Sequence, residues 1–323
     1  MTETPRLDAT DKKILHLLDF HARMSYTDLG KKIGKTKQYV RHRVERLKEK
    51  GVITGTHTVI DVTKMGYIYA RMLVRLSKTD ENIEKEMFTY LQKQKQTGWL
   101  VSTGGAYDFA AVIMTKNITD YEKTLDAFSS QFKNNLATVH TSIATRIWHF
   151  PHKMFSSTPP HEELVFGAKS ANIEIDYTDK ALLREIYNNG NESSVKLSQK
   201  TLLTPAATIA RMRRLENERI ILAYRLNIDT ELLGYQMYKV FLVMHNLSED
   251  FLKEFIKYCR DETHILYVTK ALGEATLELQ LLATSNQEFN KILKKVRSDF
   301  AQHIRSVEFL EEYKTHLVNY APF

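Results

Sequence analysis

Apolar positions in the first 66 residues recur at helical spacing and predict three short helices. The three apolar stripes are Ile14, Leu15 and Leu18; Leu29 and Ile33; and Val40, Val44 and Leu47. Thr10, Ser25 and Thr36 precede these stripes and are predicted N-caps. Gly34 separates the second helix from the third, and Gly51 follows the third, where a C-terminal glycine is expected.

Two short apolar segments after the third helix, Val52-Ile53 and Thr58–Asp61, predict the strands of a wing. Three helices with a tight turn and a wing form a winged helix-turn-helix.

The pattern then changes to alternating strand and helix signals in the order βαββαβ, which is the ferredoxin-like order. Its predicted elements are Tyr67–Leu76, Glu81–Gln94, Trp99–Thr103, Tyr107–Thr115, Ile118–Phe132 and Ala137–Trp148.

The whole pattern occurs twice. Asp8-Ala9-Thr10-Asp11-Lys12 returns 168 residues later as Asp176-Tyr177-Thr178-Asp179-Lys180, and the offset holds without a gap to Gly66 against Gly234. The second βαββαβ series is predicted at Gln236–His245, Glu249–Tyr258, Ile265–Ala271, Thr276–Ala283, Asn286–Phe300 and His303–Glu312.

The joint between the copies contains Pro151, Pro159 and Pro160, which predicts an extended linker. The expected fold class is therefore α+β in two tandem units. The predicted domains are a winged helix-turn-helix at 1–66, a ferredoxin-like domain at 67–150, a linker at 151–172, a second winged helix-turn-helix at 173–234 and a second ferredoxin-like domain at 235–323.

Composition places the chain among globular proteins, with 43% hydrophobic and 26% charged residues in 323. No apolar run is long enough for a transmembrane helix, and the first residues lack the apolar region of a secretory signal. With one cysteine, Cys259, no internal disulfide can form. We therefore expect a cytoplasmic, nucleoid-associated protein. Cys259 is expected to be a small buried side chain, with a reactive thiol as the alternative.

The net charge of +7 is concentrated at one end of the chain. Residues 1–66 carry 14 Lys and Arg against 8 Asp and Glu, whereas residues 173–234 carry 9 of each. From residue 31 to residue 50 there are nine basic and two acidic residues. This distribution predicts a polyanion-binding module at the start of the chain.

The second helix of a helix-turn-helix pair enters the major groove, and its N-terminal residues reach the base edges. With Val40, Val44 and Leu47 facing the core, Gln38 and His42 lie on the opposite face. Gln and Arg have the geometry to pair with base edges, and the neighbouring lysines would contact phosphates. The predicted DNA contacts in the first copy are Lys31, Lys32, Lys35, Thr36, Lys37, Gln38, Tyr39, Arg41, His42, Arg43 and Arg46.

Two roles stay open for Arg43, which flanks the buried stripe: a DNA contact, or a bridge to an acidic residue within the fold. The second copy differs in its reading segment, because Ala206, Ala207, Ile209 and Ala210 replace the polar residues of the first. Its predicted DNA contacts are Lys200, Arg211 and Arg214. The first module is therefore expected to make most of the contacts that recognise the DNA sequence. The second would bind the DNA backbone weakly or serve as a protein contact surface.

Three motifs resemble the leucine-responsive regulatory protein/AsnC family of prokaryotic transcription factors, the feast/famine regulators. They are Leu7-Asp-Ala-Thr-Asp-Lys-Lys-Ile-Leu15, Thr36-x-x-x-Val40-x-x-Arg43-Val44-x-x-Leu47-x-x-x-Gly51-Val52-Ile53 and Thr103-Gly104-Gly105-Ala106-Tyr107-Asp108-Phe109. The resemblance covers both copies and omits the linker. It implies a DNA-binding transcriptional regulator in a tandem duplicated form.

The resemblance also implies a ferredoxin-like effector domain that pairs through its sheets, builds homo-oligomers and binds an amino acid near the glycine turn. The corresponding effector residues are Gly104, Gly105, Tyr107, Asp108, Gly273 and Glu274. The alternatives are a tight hairpin with nothing bound, and an Asp108 that only bonds the backbone of its own turn. A fused pair could form the family's dimer within one chain, or each half could pair with another chain.

Rival interpretations are a siroheme decarboxylase-like enzyme on the same pair of domains, and a non-specific DNA-packing protein. Trp99-Leu-Val-Ser-Thr103 lacks the His and Arg expected of such a decarboxylase, and we therefore predict that the chain is not an enzyme. No cofactor, metal or membrane partner is predicted. His149, His152 and His161 near the linker are interpreted as solvated histidines and not as metal ligands.

Overall fold

Both tandem units are present in the computed structural model, which describes residues 4–78, 80–156, 162–167 and 172–323. The first unit consists of α1 (Ala9–Leu18), α2 (Tyr26–Ile33), α3 (Lys37–Glu49), β1 (Ile53–Ile60), β2 (Ile68–Leu76), α4 (Glu81–Lys93), β3 (Thr97–Gly105), β4 (Phe109–Thr115), α5 (Ile118–Gln131) and β5 (Leu136–His149).

After the short strand β6 (Leu164–Phe166), the second unit repeats this order. It consists of α6 (Tyr177–Tyr187), α7 (Ser194–Thr201), α8 (Pro205–Asn217), β7 (Ile221–Ile228), β8 (Gln236–Met244), α9 (Glu249–Asp261), β9 (Ile265–Leu272), β10 (Leu277–Ala283), α10 (Asn286–Asp299) and β11 (Ile304–Val318). The predicted fold class and the βαββαβ order in both halves are confirmed.

Side-chain caps fix the starts of the first three helices. Ser25 accepts from Asp28 N and Thr36 accepts from Tyr39 N, as predicted. The prediction of Thr10 as a cap is wrong, because Asp8 caps α1 in a reciprocal capping box with Asp11.

The turns that follow α2 and α3 each require one residue in the left-handed backbone conformation. In the first unit these residues are glycines, Gly34 at φ 69° and Gly51 at φ 73°. In the second unit Leu202 and Arg219 occupy the same places at φ 56° and 59°. The second module therefore adopts the same turns with residues for which this backbone is unfavourable.

The wing differs from the sequence prediction. Instead of two strands within one unit, β1 of the first unit pairs antiparallel with β7 of the second, with Thr56 opposite Leu226. Each strand also packs on the other unit: Leu226 joins the core of α1–α3, and Ile60 joins the core of α6–α8. The two helix-turn-helix modules are thereby joined through one shared two-stranded sheet.

The two ferredoxin-like sheets close on each other edge to edge. β5 pairs with β2 of its own unit and then with β9 of the other unit, while β11 pairs with β8 and then with β3. The resulting ring has the order β2-β4-β3-β11-β8-β10-β9-β5 and returns to β2. Of the two arrangements left open by the sequence, the structure has the pairing within one chain.

The helices cover the outer face of this ring and leave its inner face to line an interior. Met87 and Leu91 of α4 and Phe128 of α5 pack on Met72 of the first sheet, and α9 and α10 cover the second sheet in the same way. Cys259 of α9 is buried there, and burial raises the pKa of its thiol, which favours the packing role.

The predicted linker is partly structured. Phe155 packs into the core of the first helix-turn-helix, and β6 pairs with β5 at Trp148 opposite Val165. Pro159 and Pro160 lie outside the described residues. Within the described ranges, no helix has the length and apolar character needed to cross a membrane.

A buried ion pair connects the helix-turn-helix pair to the ring. Asp19, at the end of α1, is fully buried and accepts from Arg225 Nε of β7 at 2.8 Å. His152 donates its backbone N–H to Asp19 Oδ2 at 2.6 Å, and Arg225 Nη2 donates to the carbonyl of Phe150 at 3.1 Å. Burial raises the pKa of Asp19, but Arg225 and His152 more than offset this and hold it well below its usual range.

We expect the Asp19→Asn variant to lower the free energy of unfolding by about 3 kcal/mol or more, because it leaves the Arg225 charge buried without its partner. Urea unfolding at neutral pH measures the difference, and Asp28→Asn, at an exposed pair with Lys31, serves as the control. Because the pKa of Asp19 is lowered in the folded state, the contribution is complete above the usual value of 3.8 and is lost as the pH falls further. The difference between wild type and variant should shrink below that pH. An effect that is independent of pH would contradict the assignment.

Candidate nucleic-acid interface and interior cavities

The predicted reading helix, α3, presents its polar face to solvent. Val40 is buried, whereas Gln38, Tyr39, Arg41 and His42 are exposed. Thr36 caps the first turn of this helix, and the side chains expected to reach base edges lie on its exposed face.

Four exposed lysines surround the turn before this helix: Lys31, Lys32, Lys35 and Lys37. Gly30 allows the turn to pack closely on α2, since a Cβ there would lie 2.6 Å from the carbonyl oxygen of Lys35. A concave surface lined by Thr27, Gly34 and three of the lysines results. Such a surface is suited to phosphate groups, because exposed lysines lie beside the N-terminus of α3.

Arg43 does not belong to this exposed set. It is buried and forms ion pairs with Asp8 and, at 2.9 Å, with Asp11. Arg46 donates to the same Asp11 at 2.8 Å. Of the two roles left open for Arg43, the structure favours the internal bridge, and the prediction that Arg43 contacts DNA is corrected because its guanidinium is occupied and covered.

The second module repeats this bridge. Arg211 pairs with Asp176 and Asp179 at 2.7 and 2.8 Å, and Arg214 pairs with Asp179. Lys200 donates to Glu185 at 2.7 Å. All three predicted contacts of the second module therefore already have carboxylate partners.

The equivalent reading face of α8 is apolar. Ala206, Ile209 and Ala210 are exposed, and Leu202, at the preceding turn, has 93% of its surface exposed. The chemistry that pairs with base edges is thus present at the first module and missing at these positions of the second.

Near the glycine turns, the interior of the ring opens into a cavity of about 220 Å³ lined by Tyr107, His140, Glu274, Glu278 and Glu308. Tyr107 donates its hydroxyl to Glu274 Oε2 at 3.2 Å, and His140 Nδ1 bonds the other oxygen of the same carboxylate. Burial and Glu274 raise the pKa of Tyr107 to about 12. The cavity is acidic and would favour a ligand with a cationic group.

The other predicted effector residues do not line this cavity. Asp108 accepts from the backbone N–H of Leu76 at 2.7 Å, so its carboxylate bonds the end of β2 and not the backbone of its own turn, which was the alternative for this residue. Gly105, at φ 115°, packs on the backbone of Phe309, and a Cβ on Gly273 would lie 2.9 Å from Ser142 Cβ. Gly104 faces open space. Of the six residues, Tyr107 and Glu274 line the cavity.

A second cavity, of about 270 Å³, lies farther along the interior and was not predicted. Its polar residues include Arg71, His149, Lys239 and Glu312. For Arg71 and Lys239 a signal was present in the sequence, because each interrupts an apolar strand at a position that alternation places on the inner face. That pattern becomes informative only when both sheets are known to enclose a common interior.

The interpretation of the linker histidines as solvated is wrong for two of them. His149 lines the second cavity between Phe166 and Tyr267, with ring centroids 4.6 and 4.3 Å away, and burial lowers its pKa well below the usual value. His152 is buried against Asp19. His161 lies outside the described residues.

The arrangement defines a class of protein, a DNA-binding chain of two winged helix-turn-helix modules on paired ferredoxin-like domains. Residues 7–54 and 175–221 match the winged helix-turn-helix DNA-binding family. This chain is 34% identical over 122 residues to the HTH-type transcriptional regulator Ptr1 of Methanocaldococcus jannaschii. The aligned region covers 37% of this chain and 79% of that protein. The HTH-type transcriptional regulator LrpA of Pyrococcus horikoshii is 34% identical to this chain over 117 residues, which cover 35% of this chain and 79% of that protein. The chain belongs to the Lrp/AsnC family of transcriptional regulators.

A solved structure of the siroheme decarboxylase NirDL matches nearly the whole chain, with a TM-score of 0.64 and 11% identity over 97% of this chain and 94% of that one. The likeness shows that the complete tandem fold also occurs in an enzyme. This finding contradicts the prediction from the sequence that the chain is not an enzyme.

The internal bridge predicts different effects for two neighbouring arginines. Arg43→Gln should lower the free energy of unfolding by about 1–3 kcal/mol, because the buried carboxylate of Asp11 loses a charged partner and Asp8, which is exposed, loses its ion pair. Arg41→Gln, at an exposed position, should change it by less than about 0.5 kcal/mol. Denaturant unfolding of both variants tests this, and equal losses would argue against the bridge.

Proposed function

We propose that this chain is a sequence-specific regulator of transcription that reads double-stranded DNA chiefly through α3 of its first module. The observation that carries the proposal is the difference between two equivalent helices. Exposed Gln38, Arg41 and His42 follow a lysine-rich turn in the first module, whereas alanines and Ile209 occupy these positions in the second.

The shared wing sheet supports an asymmetric reading of DNA. Since β1 and β7 hold the two modules in one unit, both would lie on the same duplex when the first is engaged. The second would add backbone contacts or offer its apolar face to another protein. An operator with one well-defined half-site therefore suits this chain better than a palindrome.

The proposal predicts that the triple variant Gln38→Ala, Arg41→Ala and His42→Ala loses its site preference. Its residual binding should keep a steep salt dependence, because the lysines that contact phosphates are unchanged. Selection of bound fragments from random genomic duplexes, sequenced at two salt concentrations, measures both properties. The matched variant Ala206→Gln, Ile209→Arg and Ala210→His transfers the reading residues to α8 and should add a second half-site to the recovered motif.

A motif that survives the triple variant would refute α3 as the reader. Weak binding by the wild type with no motif would instead favour a DNA-packing role or an enzyme. Absorption titration with an iron uroporphyrin would then separate these two outcomes, because a shifted Soret band reports tetrapyrrole binding.

We further propose that the acidic cavity binds a small effector with an ammonium group, such as an amino acid. Glu274 is positioned for this by Tyr107 and His140, and Glu308 lines the same space. The cavity lies where strands of both units meet, so occupancy could alter how the two units pair. Any homo-oligomer would form through surfaces other than the strand edges that are paired in this ring. We expect such a protein to be found on the nucleoid.

Glu274→Gln should weaken binding of the effector by about tenfold or more, since the ammonium loses a charged acceptor. Calorimetric titration with each of the twenty L-amino acids identifies the ligand. The Asp108→Asn variant, altered in a turn residue outside the cavity, is the control. Equal affinity of wild type and Glu274→Gln for every amino acid that binds would contradict this site.

A further inference from the structure

The second cavity is enclosed by inner-face residues of both sheets. A row of paired residues crosses four neighbouring strands on one side: His149 opposite Tyr267, Tyr267 opposite Gln280, and Gln280 opposite Lys239. All four line the cavity. An imidazole and an ammonium therefore stand at opposite ends of one row, with an aromatic ring between them.

The wall facing this row combines aromatic and apolar side chains with Arg71 and Glu312. Trp99 and Met114 line it, and the Lys239 ammonium lies 5.6 Å from the Trp99 ring centroid. Gly98 keeps space open, since a Cβ there would lie 2.8 Å from Met114 Cε. A flat ring between such walls would bury most of its surface.

Three polar atoms of residues that line the cavity are buried without a hydrogen-bond partner among the described residues: Tyr69 Oη, Arg71 Nε and His149 Nδ1. Buried polar groups are nearly always paired, so each unpaired one calls for a ligand or ordered water. A ligand in the cavity could therefore hydrogen-bond His149 Nδ1 and accept a hydrogen bond from Arg71 Nε.

Arg71 and Lys239 bring two cationic side chains to the same part of the cavity. Both contact one carboxylate, Glu278, with the lysine contact at 3.2 Å. Arg71 Nε has no partner among the described residues. A ligand carboxylate that accepts from Arg71 Nε would therefore lie beside both cations.

We propose that this cavity binds a small aromatic carboxylic acid with a hydrogen-bonding group on its ring, the carboxylate toward Lys239 and Arg71 and the ring group toward His149. The volume fits: a cavity of about 150 Å³ accepts benzene, so 270 Å³ leaves room for a ring with a short acid arm. The site is separate from the acidic effector cavity and does not depend on the proposed reading of DNA.

Calorimetry of the full chain with 4-hydroxyphenylacetate tests the proposal. We expect binding at a 1:1 ratio, with tyrosol, which has an alcohol in place of the carboxylate, at least about tenfold weaker. A parallel titration with L-tyrosine distinguishes a free aryl acid from an aromatic amino acid as the source of the same chemistry.

Lys239→Met should weaken 4-hydroxyphenylacetate about tenfold or more, and His149→Phe, which keeps an aromatic ring between Phe166 and Tyr267, should weaken it severalfold. The second variant keeps the test valid if Lys239→Met does not fold. Tyr107→Phe, in the acidic cavity, should leave the affinity unchanged. The proposal fails if neither aromatic acid binds, or if binding is lost in Tyr107→Phe and retained in the two cavity variants.

Discussion

The pairing of strand edges between the two units is the constraint on which the rest of this structure depends. A four-stranded ferredoxin-like sheet has two edges with unpaired backbone groups, and such edges need a partner or a cover. Here β5 and β11 extend past their own sheets, and each pairs with the outer strand of the other unit. This closure creates the interior with its two cavities. The shared wing sheet and the buried pair of Asp19 with Arg225 then fix the helix-turn-helix modules against each other and against the linker.

Duplication has left the scaffold of the two modules alike and made their surfaces different. The bridge of two aspartates and two arginines that secures α1 to α3 recurs between α6 and α8. In contrast, the exposed faces differ in every residue expected to reach a base edge. Conservation of an internal bridge beside divergence of a surface is the arrangement expected when both modules must fold but one reads DNA. Likewise, the acidic cavity takes Tyr107 from one unit and Glu274 from the other, so each unit supplies a different part.

Elements governed by local periodicity could be predicted from the sequence, since both βαββαβ series and the three-helix modules were found with ends shifted by a few residues. The wing could not, because β1 and β7 belong to different units and a strand pattern does not name its partner. Asp8 was missed as the cap of α1 because Thr10, another common N-cap residue, lies two positions later. The reciprocal hydrogen bonds between Asp8 and Asp11 became visible only in the structure. The burial of Arg43, His149 and His152 could not be predicted, because their acidic and aromatic partners lie far away in the sequence. For the same reason Arg71 and Lys239 gave no recognisable motif: their common cavity exists only after the two sheets have closed.

The covalent link between the units changes how the protein responds to dilution. In a dimer of separate chains, mass action separates the partners as their concentration falls, and each exposes the edges that were paired. In this chain, the linker at 151–172 connects the second unit to the first, so its local concentration is set by the length of the connection and not by the number of copies in the cell. A protein built in this way keeps its interior cavities and its paired modules even when only a few molecules are present, and the two halves cannot exchange with those of related proteins without opening the ring.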